Sequence, residues 1–467
     1  MTRDVHHAYR NLGYIGEGAY GVVVKAETIT PHTTTSQQQQ PTNTSNDTST
    51  HPSTTPPTLP PTIPRYVAIK QMNLSRDGVG IASDAYREIK LLRALHHPNL
   101  ISLLHTYLNP RQREVDLVYD YAEHDLADVI RHHRTTQRPI DIRCIKSIIH
   151  QLLQGLSFLH SHWIVHRDIK PANLLIMGAD SAEHGRVKIA DFGLARIIQS
   201  PTRPLDRDGE VVTIWYRAPE LLLGSKHYTR AIDVWAVGCI MYELLALQPA
   251  FPGDEVKGSG KWQEAQMRKV MGVLGAVSVE AWPTVVHCQW WSKLREFNSV
   301  KEYPQRLHSR LAHVDRHSRC MHLLSQLLCY DPSKRLTCDE ALEHAWFKEL
   351  PAVSGNCFKM STHECAKYPV RQVKPLKRGR ESGSSGVGGG VGESSGSGGG
   401  GGVVGGVGVV GGPGVVVQVG GMAGGMKVSG SLDSGRLAPS GGGGGTEAVV
   451  SVASEGSSST GSKKRRL

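Results

Sequence analysis

Along the first part of the chain the apolar positions fall into short β-branched runs. "GVVVKAE" (residues 21–27) and "YVAIKQM" (66–72) read as strands, and a long polar stretch separates them. From residue 83 the period changes. "SDAYREIKLLRALHH" repeats its apolar residues at helical spacing, with Ser83 in the place of an N-cap. "CIKSIIHQLLQGLSFLHS" and "AIDVWAVGCIMYELLA" carry apolar residues over so much of their circumference that they read as buried helices. The pattern predicts an α+β chain with a small β-rich lobe followed by a larger helical one.

Two segments fall outside any such pattern. Residues 28–64 are almost all Thr, Ser, Pro and Gln. That composition buries too little apolar surface to offset ordering entropy, so it predicts a disordered insertion in a hairpin. Such an insertion is tolerable because closure entropy grows only logarithmically with length. The second segment starts at Lys374 and holds 32 of the 51 glycines. No strict triplet repeat is present, which excludes collagen and leaves a flexible tail. The expected organisation is one domain over 9–350, an extension over 351–373, and a Gly/Ser/Val-rich tail over 374–467.

Charge and composition refine this picture. Of the net charge of +11, the tail carries +5, from ten basic and five acidic residues. Its basic residues cluster at "KPLKRGR" and "KKRRL", which suit nuclear import or an anion-binding patch. The tail lacks the interleaved aromatics of a base-stacking platform, so no direct nucleic-acid binding is expected. No apolar run is long enough to span a bilayer, and "MTRDVHHAYR" lacks the apolar core of a signal peptide. No membrane association is therefore expected. Eight scattered cysteines without a Cys-x-x-Cys pair fit a reducing compartment better than a zinc site or disulfide framework.

The candidate chemistry lies in five short stretches. "IGEGAYGVVVKA" spaces Gly16, Gly18 and Gly21 as G-x-G-x-x-G, which lets backbone N–H groups approach phosphate oxygens. A plain hairpin turn has the same spacing. A dinucleotide-binding fold needs a helix after the glycines, and a strand follows here. "YVAIK" ends at Lys70, and Glu88 on the next helix can hold that lysine against phosphates. In "IVHRDIKPANLLI", Asp168 can accept the proton of a substrate hydroxyl, Lys170 can neutralise a transferring phosphoryl, and Asn173 can ligate a metal. "VKIADFGLAR" adds Asp191, a hard oxygen ligand suited to Mg²⁺. "APE" at 218–220 closes the series.

In this order and spacing, the stretches resemble the signature set of eukaryotic protein kinases over about Tyr9 to Leu350. The resemblance implies a bilobal fold with ATP and Mg²⁺ between the lobes. It implies that Ile15, Gly16, Glu17, Gly18, Ala19, Tyr20, Gly21, Val22 and Val23 cover the nucleotide. It places backbone groups of Asp120 and Ala122 against adenine, Tyr119 behind them, and Asp125 near the ribose. It further implies a structural pair between Glu220 and Arg335 and a bracing role for Asp233.

Within kinases the chain is most similar to the cyclin-dependent group. "SDAYREI" stands where a cyclin pushes a helix inward, and "VVTIWYRAPE", with Thr213 and Arg217, resembles the platform that selects proline after the phosphoacceptor. No Thr-x-Tyr is present, which argues against a mitogen-activated kinase. "DYAEHDLADVI", "PANLLIMG" and "HGRVKIADFGLAR" resemble the Mediator-associated cyclin-dependent kinases, Ser/Thr kinases that pair with a C-type cyclin. The polar insertion before the lysine strand is like that of their fungal members. That resemblance implies a nuclear enzyme partnered by Mediator kinase-module subunits. Its implied substrates are Ser/Thr-Pro sites in the RNA polymerase II C-terminal domain and in transcription factors.

Two alternatives compete with this reading. A scaffold pseudokinase is disfavoured by the intact Lys70, Glu88, Asp168, Asn173 and Asp191. An elongation or cell-cycle kinase would carry an activating threonine where this chain has Asp208. Arg87, Arg167 and Arg196 match the arginines that grip that threonine's phosphate in the family. Asp208 is thus expected to remove the need for an activating kinase, with a further partner supplying the missing order.

Overall fold

β-Branched residues and alternation build the first lobe, as the pattern predicts. The structure, a computed structural model of the chain, describes residues 5, 8–18, 21–29, 64–73, 83–109, 114–198, 214–227, 229–253, 262–300, 302–362 and 364–375. Strands β1 (Tyr9–Gly18), β2 (Gly21–Thr28) and β3 (Tyr66–Asn73) precede helix α1 (Ser83–Ala94). Strands β4 (Leu103–Asn109) and β5 (Glu114–Asp120) follow it. They form one antiparallel sheet in the order β1-β2-β3-β5-β4. Helix α1 begins at Ser83 itself, the residue read as its cap.

Register decides which side chains face the cleft. Lys70 pairs with Leu117 and Ala68 with Tyr119, so these four lie on one face. Val67, Ile69 and Val118 take the other face and pack into a small separate core with Tyr9, Val24 and Ala26. On α1, Ala85, Ile89, Leu92 and Leu95 recur every three or four residues and are buried, while Tyr86, Lys90 and Arg93 are exposed.

The chain leaves the sheet through a short link. It then enters β6 (His124–Asp125), α2 (Leu126–Thr136) and α3 (Ile142–Ser161). Short strands β7 (Ile164–Val165), β8 (Leu174–Ile176), β9 (Val187–Ile189) and β10 (Arg196–Ile197) carry the loops of the site. Helices α4 (Pro219–Leu222) and α5 (Ala231–Ala246) follow. Helix α5 is buried around its whole circumference through Leu244, as its sequence predicts. All eight cysteines are free. No helix among the described residues is long and apolar enough to cross a membrane.

Residues 351–375 return along the molecule to the first lobe. Ser354 N–H donates to Ser147 Oγ (2.9 Å) and Cys357 N–H to Gly185 O (2.9 Å). Tyr368 packs on His124, His132 and Phe358. Lys374, where the sequence reading starts the tail, forms an antiparallel bridge with Tyr14 of β1. Its N–H donates to Tyr14 O at 2.9 Å, and Tyr14 N–H donates to Lys374 O at 2.8 Å. The extension therefore touches both lobes. Of residues 28–64, read as a disordered insertion, Thr28 instead ends β2, with its N–H donating to Arg65 O at 2.9 Å. Residues 30–63 lie outside the described residues, as does the tail from 376 onward.

Gly13 makes this docking possible. Its φ is +141°, and a Cβ there would meet Lys374 O and Val373 Cγ1 at 2.6 Å. Gly13→Ala should cost about 1–2 kcal/mol and loosen the bridge. Hydrogen exchange at the Tyr14 and Lys374 amides is expected to accelerate selectively. Unchanged protection at both would contradict the pairing.

Candidate active site

Three carriers bring charged groups to the mouth between the lobes: β3, α1 and the loop after β9. Lys70 Nζ lies 2.8 Å from Glu88 Oε2 and 3.5 Å from Asp191 Oδ1. Glu88 is 2% exposed and accepts a second hydrogen bond, from Tyr119 Oη at 2.8 Å. Burial alone would lower the Lys70 pKa, but the charges of Glu88 and then Asp191 outweigh it and hold the ammonium above its ordinary value. Burial would raise the Asp191 carboxyl, and the nearby Lys70 instead keeps it below the usual range. Removing one member of so buried a pair costs about 3–5 kcal/mol.

A second cluster sits on the loop between β7 and β8. Asp168 Oδ2 accepts from Lys170 Nζ (2.7 Å) and from Asn173 Nδ2 (2.9 Å). Asn173 Nδ2 also donates to Asp168 O at 2.8 Å. The Asn173 amide thus commits its N–H side to Asp168 and leaves its carbonyl oxygen as a donor atom for a cation. The loop is held from below by Asp233. Its carboxylate accepts from the backbone N–H of His166 and Arg167, both at 2.9 Å, and from His160 Nε2 at 3.0 Å. Asp233 is 1% exposed, and although burial would raise its carboxyl, the hydrogen bond and charge of His160, with His166 and the Arg167 N–H, hold it below the usual carboxylate range.

The two clusters meet through Phe192. Its ring is fully buried and packs edge-on against His166 at 5.1 Å, while His166 Nε2 lies 3.1 Å from Ala190 O. Arg167 and Asp191 have left-handed backbones, φ 74° and 66°. Such non-glycine positions cost about 1–3 kcal/mol each and persist where their surroundings over-determine them.

These donors suit a hard cation with phosphate ligands. Among the described residues no hydrogen-bond partner is found for the buried Asp191 Oδ1, and Lys70 Nζ lies 3.5 Å from it. Mg²⁺ is commonly held by one or two protein oxygens plus substrate phosphates, and Asn173 with Asp191 supplies that set. Above it, the β1–β2 hairpin closes with Gly18 opposite Gly21. Apart from its chain neighbours, no atom of the described residues lies within 4 Å of where a Gly16 Cβ would be, whereas a Cβ at Gly21 would strike Gln71 O at 1.9 Å. Gly21 is thus required by the chain's own packing, and Gly16 has open space beside it. Ile15 falls in a bulge, Val22 and Val23 oppose Glu17 and Gly16, and Ala19 and Tyr20 lie outside the described residues.

At the link, Asp120 ends β5 and Ala122 is buried two residues later. Asp125, expected near the ribose, has both carboxylate oxygens engaged by the chain itself. One of its oxygens caps α2, accepting from Asp128 N at 2.8 Å, and the other is paired with Arg371 of the returning extension. The cap has a sequence signal, an Asp just ahead of "LADVI". Arg371 has none, because its partner lies 246 residues away.

Of the activation-segment residues, Asp208 and Thr213 lie outside the described residues. The three arginines converge on consecutive carbonyls. Arg87 donates to Gly193 O, Arg167 to Leu194 O (3.2 Å), and Arg196 to Ala195 O (3.1 Å). Arg217 lines a small hollow with Arg167, Asp168 and Tyr216. Lower in the helical lobe, Arg335 grips Glu220 in a two-pronged pair at 2.8 and 3.0 Å, both side chains buried.

Known proteins are similar to this chain in sequence. The family model "Protein kinase domain" matches residues 62–347. It begins inside the polar insertion, downstream of the glycine hairpin. The chain is 41% identical over 373 residues to "Probable cyclin-dependent kinase 8" of Dictyostelium discoideum, covering 79% of this chain and 89% of that one. It is 43% identical over 369 residues to "Cyclin-dependent kinase E-1" of Arabidopsis thaliana, covering 78% and 72%. It is 37% identical over 413 residues to "Serine/threonine-protein kinase SSN3" of Phaeosphaeria nodorum, covering 79% and 81%.

Proposed function

We propose that this chain, which belongs to the protein kinase family and within it to the cyclin-dependent serine/threonine kinases, transfers the γ-phosphate of ATP to Ser and Thr that precede Pro. The setting we propose is the nucleus, in the Mediator kinase module with a C-type cyclin. The substrates we propose are the RNA polymerase II C-terminal domain and transcription factors. The observation that carries the reading is the union of two clusters, Lys70–Glu88–Asp191 and Lys170–Asp168–Asn173, at one cleft.

Phosphoryl transfer needs positioning and charge neutralisation more than covalent chemistry. Bound Mg²⁺-ATP supplies the phosphoryl group and divalent charge against its oxygens. Lys70, oriented by Glu88, presents its ammonium to the phosphates. Asn173 and Asp191 offer the oxygens that would hold the metal. Asp168 receives the proton of the incoming hydroxyl, its carboxylate fixed by Asn173 and balanced by Lys170. The acceptor approaches from the hollow beside Asp168, where Tyr216 and Arg217 stand.

Asp168→Asn should abolish Ser/Thr phosphorylation, a fall of about 100-fold or more, while leaving ATP affinity nearly intact. Asp191→Ala should instead weaken Mg²⁺-ATP binding. Radiolabel transfer to a Ser-Pro peptide, paired with nucleotide titration, separates the two effects. Near-parental turnover in Asp168→Asn would refute its assigned role.

Regulation follows from charge. A phosphothreonine brings about −1.5 to −2 charge and three acceptor oxygens, whereas Asp208 brings −1 and two. We propose that Asp208 replaces the phosphate in part and that another module subunit completes the order of the segment. Turnover of the cyclin complex with and without the remaining module, for the parent and for Asp208→Ala, tests this. The module is expected to raise parental activity, and Asp208→Ala to lower it. Full activity of the cyclin pair alone would remove the partner requirement. Full activity of Asp208→Ala would remove the mimic.

A further inference from the structure

The carboxylate of Glu88 is held at both oxygens, and only one of its donors is Lys70. Tyr119 Oη donates to Oε1 at 2.8 Å while Lys70 Nζ donates to Oε2 at 2.8 Å. The donors come from adjacent strands on one sheet face, where Tyr119 pairs with Ala68 of β3 and Leu103 of β4. The phenol ring is 7% exposed and belongs to the large core, so its hydroxyl has a fixed position.

That second donor changes what the ion pair can do. The terminal torsion of a glutamate is broad, so one lysine contact leaves the carboxylate plane free to turn. Two donors on opposite oxygens fix the plane and, through it, the place of the lysine ammonium. The hydroxyl remains a donor at working pH, because burial, reinforced by the Glu88 charge, keeps the phenol protonated. A phenylalanine would fill the same space and leave Oε1 without this bond.

We infer that Tyr119 is a positioning residue for phosphoryl transfer: its hydroxyl sets Glu88, which sets Lys70, so that part of the inward placement of α1 is built into the sheet. The inference rests on the reading of Lys70 and Glu88 given above. Because the hydroxyl contacts a side chain of α1, its effect falls on the alignment of the phosphates more than on nucleotide affinity.

The test is a double-mutant cycle in the full-length chain with its cyclin, using Tyr119→Phe, Glu88→Met and the pair. Turnover on a Ser-Pro peptide is measured against ATP concentration, and thermal unfolding is followed in parallel. Tyr119→Phe is expected to lower kcat about tenfold, the size of one hydrogen bond to a charged group, with a smaller change in KM for ATP. In the Glu88→Met background the same change should produce no further loss. Parental kcat in Tyr119→Phe, or an equal loss in both backgrounds, would overturn the inference while leaving the kinase reading standing. Parental kcat in Glu88→Met would overturn the assigned role of Glu88 and this inference with it.

Discussion

A buried carboxylate on a helix has to meet a buried ammonium on a strand, and the rest of the site depends on that meeting. Glu88 and Lys70 are carried by separate elements, and neither charge is stable alone at this depth. Their pairing ties α1 to β3 and brings Lys70 within 3.5 Å of Asp191. The strand register then matters as much as the residues. A one-residue slip of β3 against β5 would turn Lys70 to the far face and Ile69 toward the cleft.

The helical lobe answers with its own buried charges. Asp233 on α5 organises the loop that bears Asp168 through two backbone N–H groups, and Glu220 is locked to Arg335. These groups touch neither nucleotide nor acceptor in the proposed reaction. They hold costly backbone conformations, at Arg167 above all, where the chemistry needs them. The returning extension adds a link of another kind. It is anchored to Ser147 and Gly185 in one lobe and to Tyr14 in the other, with Arg371 on Asp125 between them. The two lobes are therefore linked by a segment outside the kinase motifs.

Much of the site was legible because its residues lie in short consecutive stretches whose types are dictated by chemistry. "HRDIKPAN" and "DFG" place Asp168, Lys170, Asn173 and Asp191 within loops of a few residues, and the β-branched run "YVAIK" placed Lys70 on a strand. The buried character of α5 was equally plain from its composition. What could not be read were contacts made by residues remote in sequence and ordinary in type. Tyr119 was expected behind the adenine site, yet nothing in "LVYDYA" announces that its hydroxyl meets Glu88. Arg371 and Lys374 sit in a stretch without periodicity, and Lys374 was read as the start of the tail, because strand addition by one residue pair leaves no alternation to detect.

Titration of the full-length chain with ATP, with and without Mg²⁺, tests the central claim most directly, with Lys70→Met as the comparison. If Lys70, Asn173 and Asp191 act together on a metal–phosphate unit, Mg²⁺ tightens ATP binding at least about tenfold and Lys70→Met removes most of that gain. Equal ATP affinity with and without the metal, unchanged by Lys70→Met, would contradict it.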